Sequence, residues 1–436
     1  SIRHCTQQRT LTAKGGLRRM KKYDEYKDSG VAWIGDVPKH WEVIKLKYKY
    51  HFQTGATPNT GKKENFEGEL KWANISDLNG SVVYDTTKHI NKEAASKCSM
   101  NISPKGSLMY SFKLSVGTVA FCGEDMYTNE AIASFIPQKN DLKYLFYSAP
   151  IFIIHNANRN IYNAPLLNQE LIKNALICLP SLNEQTAIAT YLDTHCAKID
   201  NLISIQQKRI ALLQELKQSV ITHAVTKGLN PNVEMKQSGV EWIGDVPKHW
   251  EVLRGKYALS ILSGFPFDSQ KFEFEDNGVY MPLIRIRDIN GSSTEVYYSG
   301  SYPIESVVKT GEVLIGMDGD FNISKWKGTN ALLNQRVCKL REDSSMNTHY
   351  AFYMLSSPLK AINSVTYATT VKHLSVYDIY NAFIPVPPIS EQAAIASYLD
   401  RKCATIDTSI SNAQHQIDLL QEYKQSLITE VVTGKR

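Results

Sequence analysis

The sequence predicts an α+β fold made twice in tandem: two domains with small mixed sheets, joined by two long antiparallel helices that form a central coiled coil, with pseudo-two-fold symmetry. Three observations predict it. K-D-S-G-V-A-W-I-G-D-V-P-K-H-W-E-V-I-K-L-K-Y at 27–48 returns as K-Q-S-G-V-E-W-I-G-D-V-P-K-H-W-E-V-L-R-G-K-Y at 236–257, with 17 of 22 positions identical. A second block, N-E-Q-T-A-I-A-T-Y-L-D from Asn183, reappears as S-E-Q-A-A-I-A-S-Y-L-D from Ser390. The resulting period, near 208 residues, is far too long for a solenoid, so each copy is a domain plus a helix. Finally, both copies of the second block continue into a heptad pattern free of Gly and Pro.

The elements follow in chain order. Residues 1–19 read as a non-native or disordered tail ahead of M-K-K-Y-D-E-Y at 20–26. Five of the six net positive charges lie in that tail (Arg3, Arg9, Lys14, Arg18 and Arg19, with no acid among them). From Met20 onward the balance is about +1, so bulk charge points to no partner, and a nucleic-acid binder here must gather its basic groups on one face. Residues 20–180 and 230–387 are the two expected domains. Their short β-branched and aromatic runs, broken by Gly, Asn and Pro, predict small sheets, with helices over Tyr144–Ile154 and Tyr350–Ile362. Between the repeated blocks, 59–180 and 266–386 share only a skeleton, such as W-A-N-I-S-D-L-N-G at 72–80 facing L-I-R-I-R-D-I-N-G at 283–291. The scaffold is shared and the surface is not.

Residues 181–229 and 388–436 are the long helices, the first with its linker. P-S-L-N-E-Q predicts a proline stop and an Asn cap before the first helix; the second begins P-P-I-S-E-Q. Alternating steps of four and three from Leu192 land on Cys196, Ile199, Ile203, Gln206, Ile210, Leu213, Lys217, Val220 and Ala224. From Leu399 they land on Cys403, Ile406, Ile410, Ala413, Ile417, Leu420, Lys424, Leu427 and Val431. Matching seams favour packing the helices on each other over docking each on its own domain.

Composition and motifs exclude much. No stretch approaches the roughly 18 uncharged apolar residues of a membrane helix. The seven cysteines are odd in number and form no C-x-x-C, against a disulfide scaffold or zinc ribbon. N-A-P-L at 163 and V-P-P-I at 386 lack the amide and aromatic of a methyltransferase N-P-P-Y, and Gly311–Gly316 is followed by Met317 and Asp318 rather than the Lys-Ser/Thr of a Walker loop. Glu69-Leu70-Lys71 is an isolated E-x-K, the pattern of solvated surface charge. His40 and His249, in the repeated P-K-H-W, read as structural beside Trp41 and Trp250, and Cys196 and Cys403 as small seam hydrophobes. No catalytic constellation emerges.

The order W-I-G-D-V-P-K-H-W-E-V, variable region, P-x-L/I-x-E-Q, long helix, and then all of it again, resembles the specificity subunits of type I restriction-modification systems over Met20–Arg436. The resemblance implies two target-recognition domains, each reading one half of a bipartite, asymmetric double-stranded DNA target. It implies helices that set the spacer and dock two modification subunits, with restriction subunits joining them. S-adenosylmethionine, ATP and Mg would then sit on the partners, with none bound by this chain, which would act in the cytoplasm as a non-catalytic reader.

Base readout needs amide, guanidinium and hydroxyl groups on exposed loops, with cations on phosphate setting the register. The first-half candidates are Thr57, Asn59, Lys62, Lys63, Lys113 and the run His155–Asn163, within it Asn158, Arg159, Asn160, Tyr162 and Asn163. The second-half candidates are Phe267, Ser269, Arg285, Arg287, Lys325, Trp326, Tyr367, Thr369, Thr370, Lys372 and His373. Trp33, Trp72 and Trp242 read as core rather than stacking platforms. The rival readings are a non-catalytic coiled-coil adaptor presenting two modules that do not read DNA, and an enzyme with an active site hidden in one variable region.

Overall fold

The computed structural model describes residues 23–138, 142–365 and 372–436. The chain divides into two compact units. The first takes residues up to Ile205 together with Gln416–Arg436, and the second takes Gln206–His415. Two long helices, α1 (Leu182–Lys227) and α2 (Ile389–Val432), each contribute to both units.

In the first unit a five-stranded sheet has the order 52–54, 132–135, 108–111, 119–122, 82–83, with the last pair parallel and the rest antiparallel. Beside it, 70–73 pairs antiparallel with 88–90 and parallel with 127–128. The repeated block forms a separate framework in which 42–45 pairs with 176–179 and 26–28 with 36–38. The second unit repeats this plan. Its four-stranded sheet runs 260–263, 337–341, 313–316, 323–325; a mixed five-stranded sheet includes 281–284 and 331–333; and 251–254 pairs with 383–386. Sheets of mixed direction and short strands are what the sequence pattern predicts.

Each unit closes its core on the long helices with the same side chains. In the first, Trp41 is fully buried and the Tyr144 hydroxyl donates to the Cys178 carbonyl at 2.7 Å and the Val432 carbonyl at 3.4 Å. In the second, Trp250 is fully buried and Tyr350 donates to the Pro385 and Val225 carbonyls at 3.1 and 3.3 Å. Each helix then ends on a left-handed glycine packed against that tryptophan: Gly434 (φ +72°) beside Pro38 and Trp41, Gly228 (φ +75°) beside Trp250 and Pro247. A side chain at Gly434 would come within 2.3 Å of Pro38, so glycine is required there by space as well as by backbone.

The helices run antiparallel within each unit. In the first, Tyr147 reaches Asp193 of α1 while Tyr144 reaches Val432 of α2, and further along Asp200 pairs with Lys424 at 2.7 Å. In the second, Tyr353 reaches Asp400 and Tyr350 reaches Val225, with Lys217 paired to Asp407 at 2.7 Å. Every expected seam position is buried or half-buried. Leu192, Ile199, Leu399, Ile406, Ile417 and Leu427 are buried, and Ile203, Ile210, Leu213, Val220, Ile410 and Leu420 are half-buried.

Two local expectations are corrected. The first helix begins at Leu182, so Ser181 rather than Asn183 precedes its first turn; Glu184 reaches back to accept from the Ser181 N–H at 3.2 Å and hydroxyl at 2.9 Å. The helix expected over Tyr350–Ile362 is two helices, Thr348–Met354 and Ser356–Val365, interrupted at Leu355. Leu355 is fully buried, and its N–H still bonds Ala351, so packing holds the chain through a break that hydrophobic periodicity does not reveal.

Candidate nucleic-acid interface

The repeated blocks place the variable loops through one recurring device. His40 and Trp41 both reach Glu184, at 2.8 and 3.4 Å; His249 and Trp250 reach Glu391 at 2.7 and 2.9 Å. Each P-K-H-W motif therefore clamps the first turn of a long helix. Burial alone would raise the Glu184 carboxyl's pKa, but hydrogen bonds from His40, Ser181 and Trp41 outweigh it and hold the group below its usual value. This gives the recurring histidines a structural role. Gln185 and Gln392 complete the joint by donating to the Pro180 and Pro387 carbonyls, each at 2.9 Å.

From this frame the first unit projects two groups of candidates. Thr57, Asn59, Lys62 and Lys63 are exposed on the loop after strand 52–54; the Thr57 hydroxyl donates to Glu130, and Asn59 accepts from the Gly61 N–H at 2.9 Å. The second group is the hairpin of Asn158–Arg159 with Pro165–Leu166, followed by a short helix, Gln169–Asn174. Gln169 donates to Thr54 at 3.0 Å, which ties the hairpin's base to the strand that carries the first loop. Lys113 is exposed on a third loop beside Leu114, which is 89 % exposed with φ +56°. Within the hairpin Asn158, Arg159, Tyr162 and Asn163 are exposed and Asn160 is half-buried.

In the second unit the candidates divide. Ser269 is exposed, and Phe267 is half-buried, edge-on to Tyr298 with centroids 4.8 Å apart. Arg285 and Arg287 share Glu295, at 3.1 and 3.4 Å, and Arg285 also lies 3.5 Å from Asp288. Lys372 donates to the Asn363 carbonyl and side chain at 2.6 and 3.0 Å. Tyr367, Thr369 and Thr370 lie outside the described residues.

Two second-unit candidates are overturned as free surface groups. Trp326 is 2 % exposed, inside a cluster with Ile284, Val308 and Leu333, and its indole N–H donates to the Thr329 carbonyl at 2.7 Å. Its apolar bulk fills the sheet's own core. Lys325 binds Asp400 of α2 at 3.0 Å and lies 5.0 Å from the centre of the Phe352 ring. The corresponding first-unit position, Phe121, stacks on Phe146 with ring centres 5.4 Å apart. A cation on an aromatic face thus replaces an aromatic stack at the same joint, and the Lys325 charge is spent on Asp400 rather than offered to solvent. Burial would raise the Asp400 carboxyl's pKa, but hydrogen bonds from Tyr353 and Lys325 prevail and lower it.

His373 accompanies a residue that sequence reasoning missed. Asp318 lies 2.6 Å from His373 and 3.6 Å from Arg336, and the Arg336 and His373 side chains are 3.4 Å apart. No local signal could have assembled this trio, a half-buried acid between two exposed bases, since its members are spread along the chain. The expected core tryptophans are core: Trp72 is 4 % exposed with its indole N–H on the Ala56 carbonyl, while Trp33 and Trp242 are half-buried against the main clusters. Lys71 of the isolated E-x-K is held by Glu124 and the Tyr84 carbonyl. Burial drives the Cys196 thiol's pKa up to about 11. Among the described residues no group of three or more His, Cys, Asp or Glu is placed to hold a metal ion, and no helix is long and apolar enough to cross a membrane.

Comparison with known proteins places this architecture. The type I restriction modification DNA specificity domain matches twice, over residues 38–215 and 247–417. The chain is 34% identical over 203 residues to the EcoBI specificity subunit of Escherichia coli, an alignment covering 46% of this chain and 42% of that one. It is 27% identical over 426 residues to the MjaIX specificity subunit of Methanocaldococcus jannaschii, covering 92% and 95%. Among solved structures, a chain from a study of type I R-M complex assembly and conformational transition superposes with a TM-score of 0.72 at 16% identity, covering 91% of this chain and 98% of that one. The HsdS subunit of Thermoanaerobacter tengcongensis gives 0.51 at 16% identity, covering 92% and 98%. With two tandem matches that between them span most of the sequence, and with the duplicated scaffold that such a pair requires, this chain belongs to the type I restriction-modification DNA specificity family.

Proposed function

We propose that the chain is the DNA sequence-specificity subunit of a type I restriction-modification complex, each unit reading one half of a bipartite, asymmetric target. The observation that carries this reading is one frame, repeated down to its His–Glu clamp and terminal glycine, that presents two unlike sets of exposed polar loops. Unlike loops on like frames suit a non-palindromic site. The helices set the spacer, and their exposed apolar residues away from the seam, Leu202, Ile205, Leu212, Leu216 and Leu419, suit the docking of two modification subunits, with restriction subunits joining them. S-adenosylmethionine, ATP and Mg belong to those partners, and the complex works on double-stranded DNA in the cytoplasm.

The test is an exchange of residues 59–180 for the same region of a relative, followed by methylation mapping in a host that supplies the modification subunit. One half-site changes and the other persists. Loss of both half-sites together would reject independent readers, and a chain that never directs methylation but still binds its partners would favour the adaptor.

A further inference from the structure

The hairpin of Asn158–Arg159 with Pro165–Leu166 holds the two large apolar residues of its tip out in solvent: Ile161 is 90 % exposed and Tyr162 82 %. Its tip is built to keep them there. The Asn160 side chain accepts from the backbone N–H groups of Tyr162 and Ala164, both at 2.9 Å, and the Asn160 N–H donates to the Ala164 carbonyl at 3.1 Å. Arg159 donates across the loop to the Asn163 carbonyl at 3.0 Å, and Asn163 takes the left-handed conformation, φ +60°. The base is anchored as well, with His155 stacked on Trp33 at 3.8 Å and Asn156 donating to the Leu171 carbonyl at 2.6 Å. A pre-ordered loop carrying exposed apolar bulk gains nothing in the free protein, so its gain lies in what it meets.

The segment's composition selects the occupant. From His155 to Asn168 there is no acid, one arginine and five asparagines. A polyanion with amide-matching edges fits this chemistry better than a protein surface does. We propose that Ile161 and Tyr162 form a wedge that enters the base stack of duplex DNA at the first half-site, with the flanking asparagines against base edges and sugars. Apolar side chains inserted between base steps unstack and kink the duplex, and an aromatic ring takes over the lost stacking. The wedge is a specificity device, because the energy of opening a step depends on which bases form it. It rests on the reading of this chain as a DNA specificity subunit.

The test uses the full chain, alone and with its modification subunit, and duplexes selected from a random library by the wild-type protein. 2-Aminopurine is placed in turn at each position of the first half-site. Wild-type binding brightens the probe at one step; the I161A/Y162A variant, with an unchanged melting midpoint, abolishes that signal and binds about 10- to 100-fold more weakly. Y162F keeps both signal and affinity, since the ring rather than the hydroxyl does the stacking. Unchanged affinity and fluorescence in I161A/Y162A would overturn the wedge while leaving the DNA-reading function intact. A double variant that binds DNA normally but no longer copurifies with the modification subunit would assign the tip to a protein contact and also overturn it. A wild-type chain that selects no sequence overturns the underlying reading, and the wedge with it.

Discussion

Individual residues in this chain act through partners distant in sequence, and three of them make sharp tests. Gly434 and Gly228 each end a long helix in the left-handed conformation, one position apart in the repeat, and the space around them differs: an added Cβ meets Pro38 at 2.3 Å in one and Trp250 at 3.1 Å in the other. Both G434A and G228A take on left-handed strain of about 1–3 kcal/mol. G434A should be the more destabilising in thermal melts, because the rigid proline ring cannot yield. For Glu184 the direction of the pKa shift sets a pH dependence. Its folded pKa lies below its ordinary value, so its contribution is complete above that ordinary value and is lost as pH falls through the folded one. E184Q should cost about 1–2 kcal/mol at neutral pH through weakened hydrogen bonds to His40 and Trp41. Wild type and variant should converge in melting temperature as acidification carries the pH below the ordinary glutamate range and through the lowered folded value. A gap that widens with acid would contradict the clamp.

At the scale of elements, the long helices combine a heptad seam with two lysines on it. Lys217 and Lys424 sit at seam positions and pair with Asp407 and Asp200, acids that are each 53% exposed. Half-exposed pairs contribute little energy, about 0.2–1 kcal/mol, so their value lies in fixing the register of a seam that is otherwise mostly apolar. K217M/K424M should leave the melting temperature unchanged or higher, with its salt dependence removed. The cost should appear as alternative helix pairings, read as new disulfide cross-links between engineered cysteines on the two helices. A single native cross-link pattern in that variant would show that the apolar seam alone sets the register. The joint between Lys325 and Asp400 offers a parallel case, since the other unit has Phe121 stacked on Phe146 in place of the lysine while keeping the matching acid, Asp193, on Tyr147.

For the molecule as a whole, the repeated frame means that one change can be made twice. Both long helices take part in both units, so lengthening them together preserves the pairing within each. Four residues inserted after Ile210 and four after Ile417 add about 6 Å to each helix, enough for one or two base pairs at about 3.4 Å each. The mapped methylation target should keep its half-sites and gain spacer length. Insertion in one helix alone should mismatch the seam, expose Ile and Leu positions at roughly 1.5–3 kcal/mol each, and impair assembly. An unchanged spacer in an active double-insertion complex would reduce the helices to a dock.

The sequence by itself determined the duplication, the mixed small-sheet domains, the two helices and every residue of their seams. All of these are written as local periodicity or as repetition, and backbone geometry converts a period of 3.5 residues into a stripe without reference to the rest of the chain. Even Trp41 and Trp250 were legible as structural, because each recurs with its histidine. Tertiary structure alone decided which polar and aromatic groups remain available. Lys325, Trp326 and Arg285 look like recognition residues in a variable loop, yet one is bound to Asp400, one is buried in a sheet core and one is held by Glu295 and Asp288. Tyr162 reads from sequence as a recognition candidate within the run His155–Asn163; only the fold shows that it and Ile161 stand in solvent on a loop braced from within. The physical reason is that a side chain's freedom is set by which distant groups fold against it, and a charge or an aromatic ring is as readily consumed by the scaffold as presented by it.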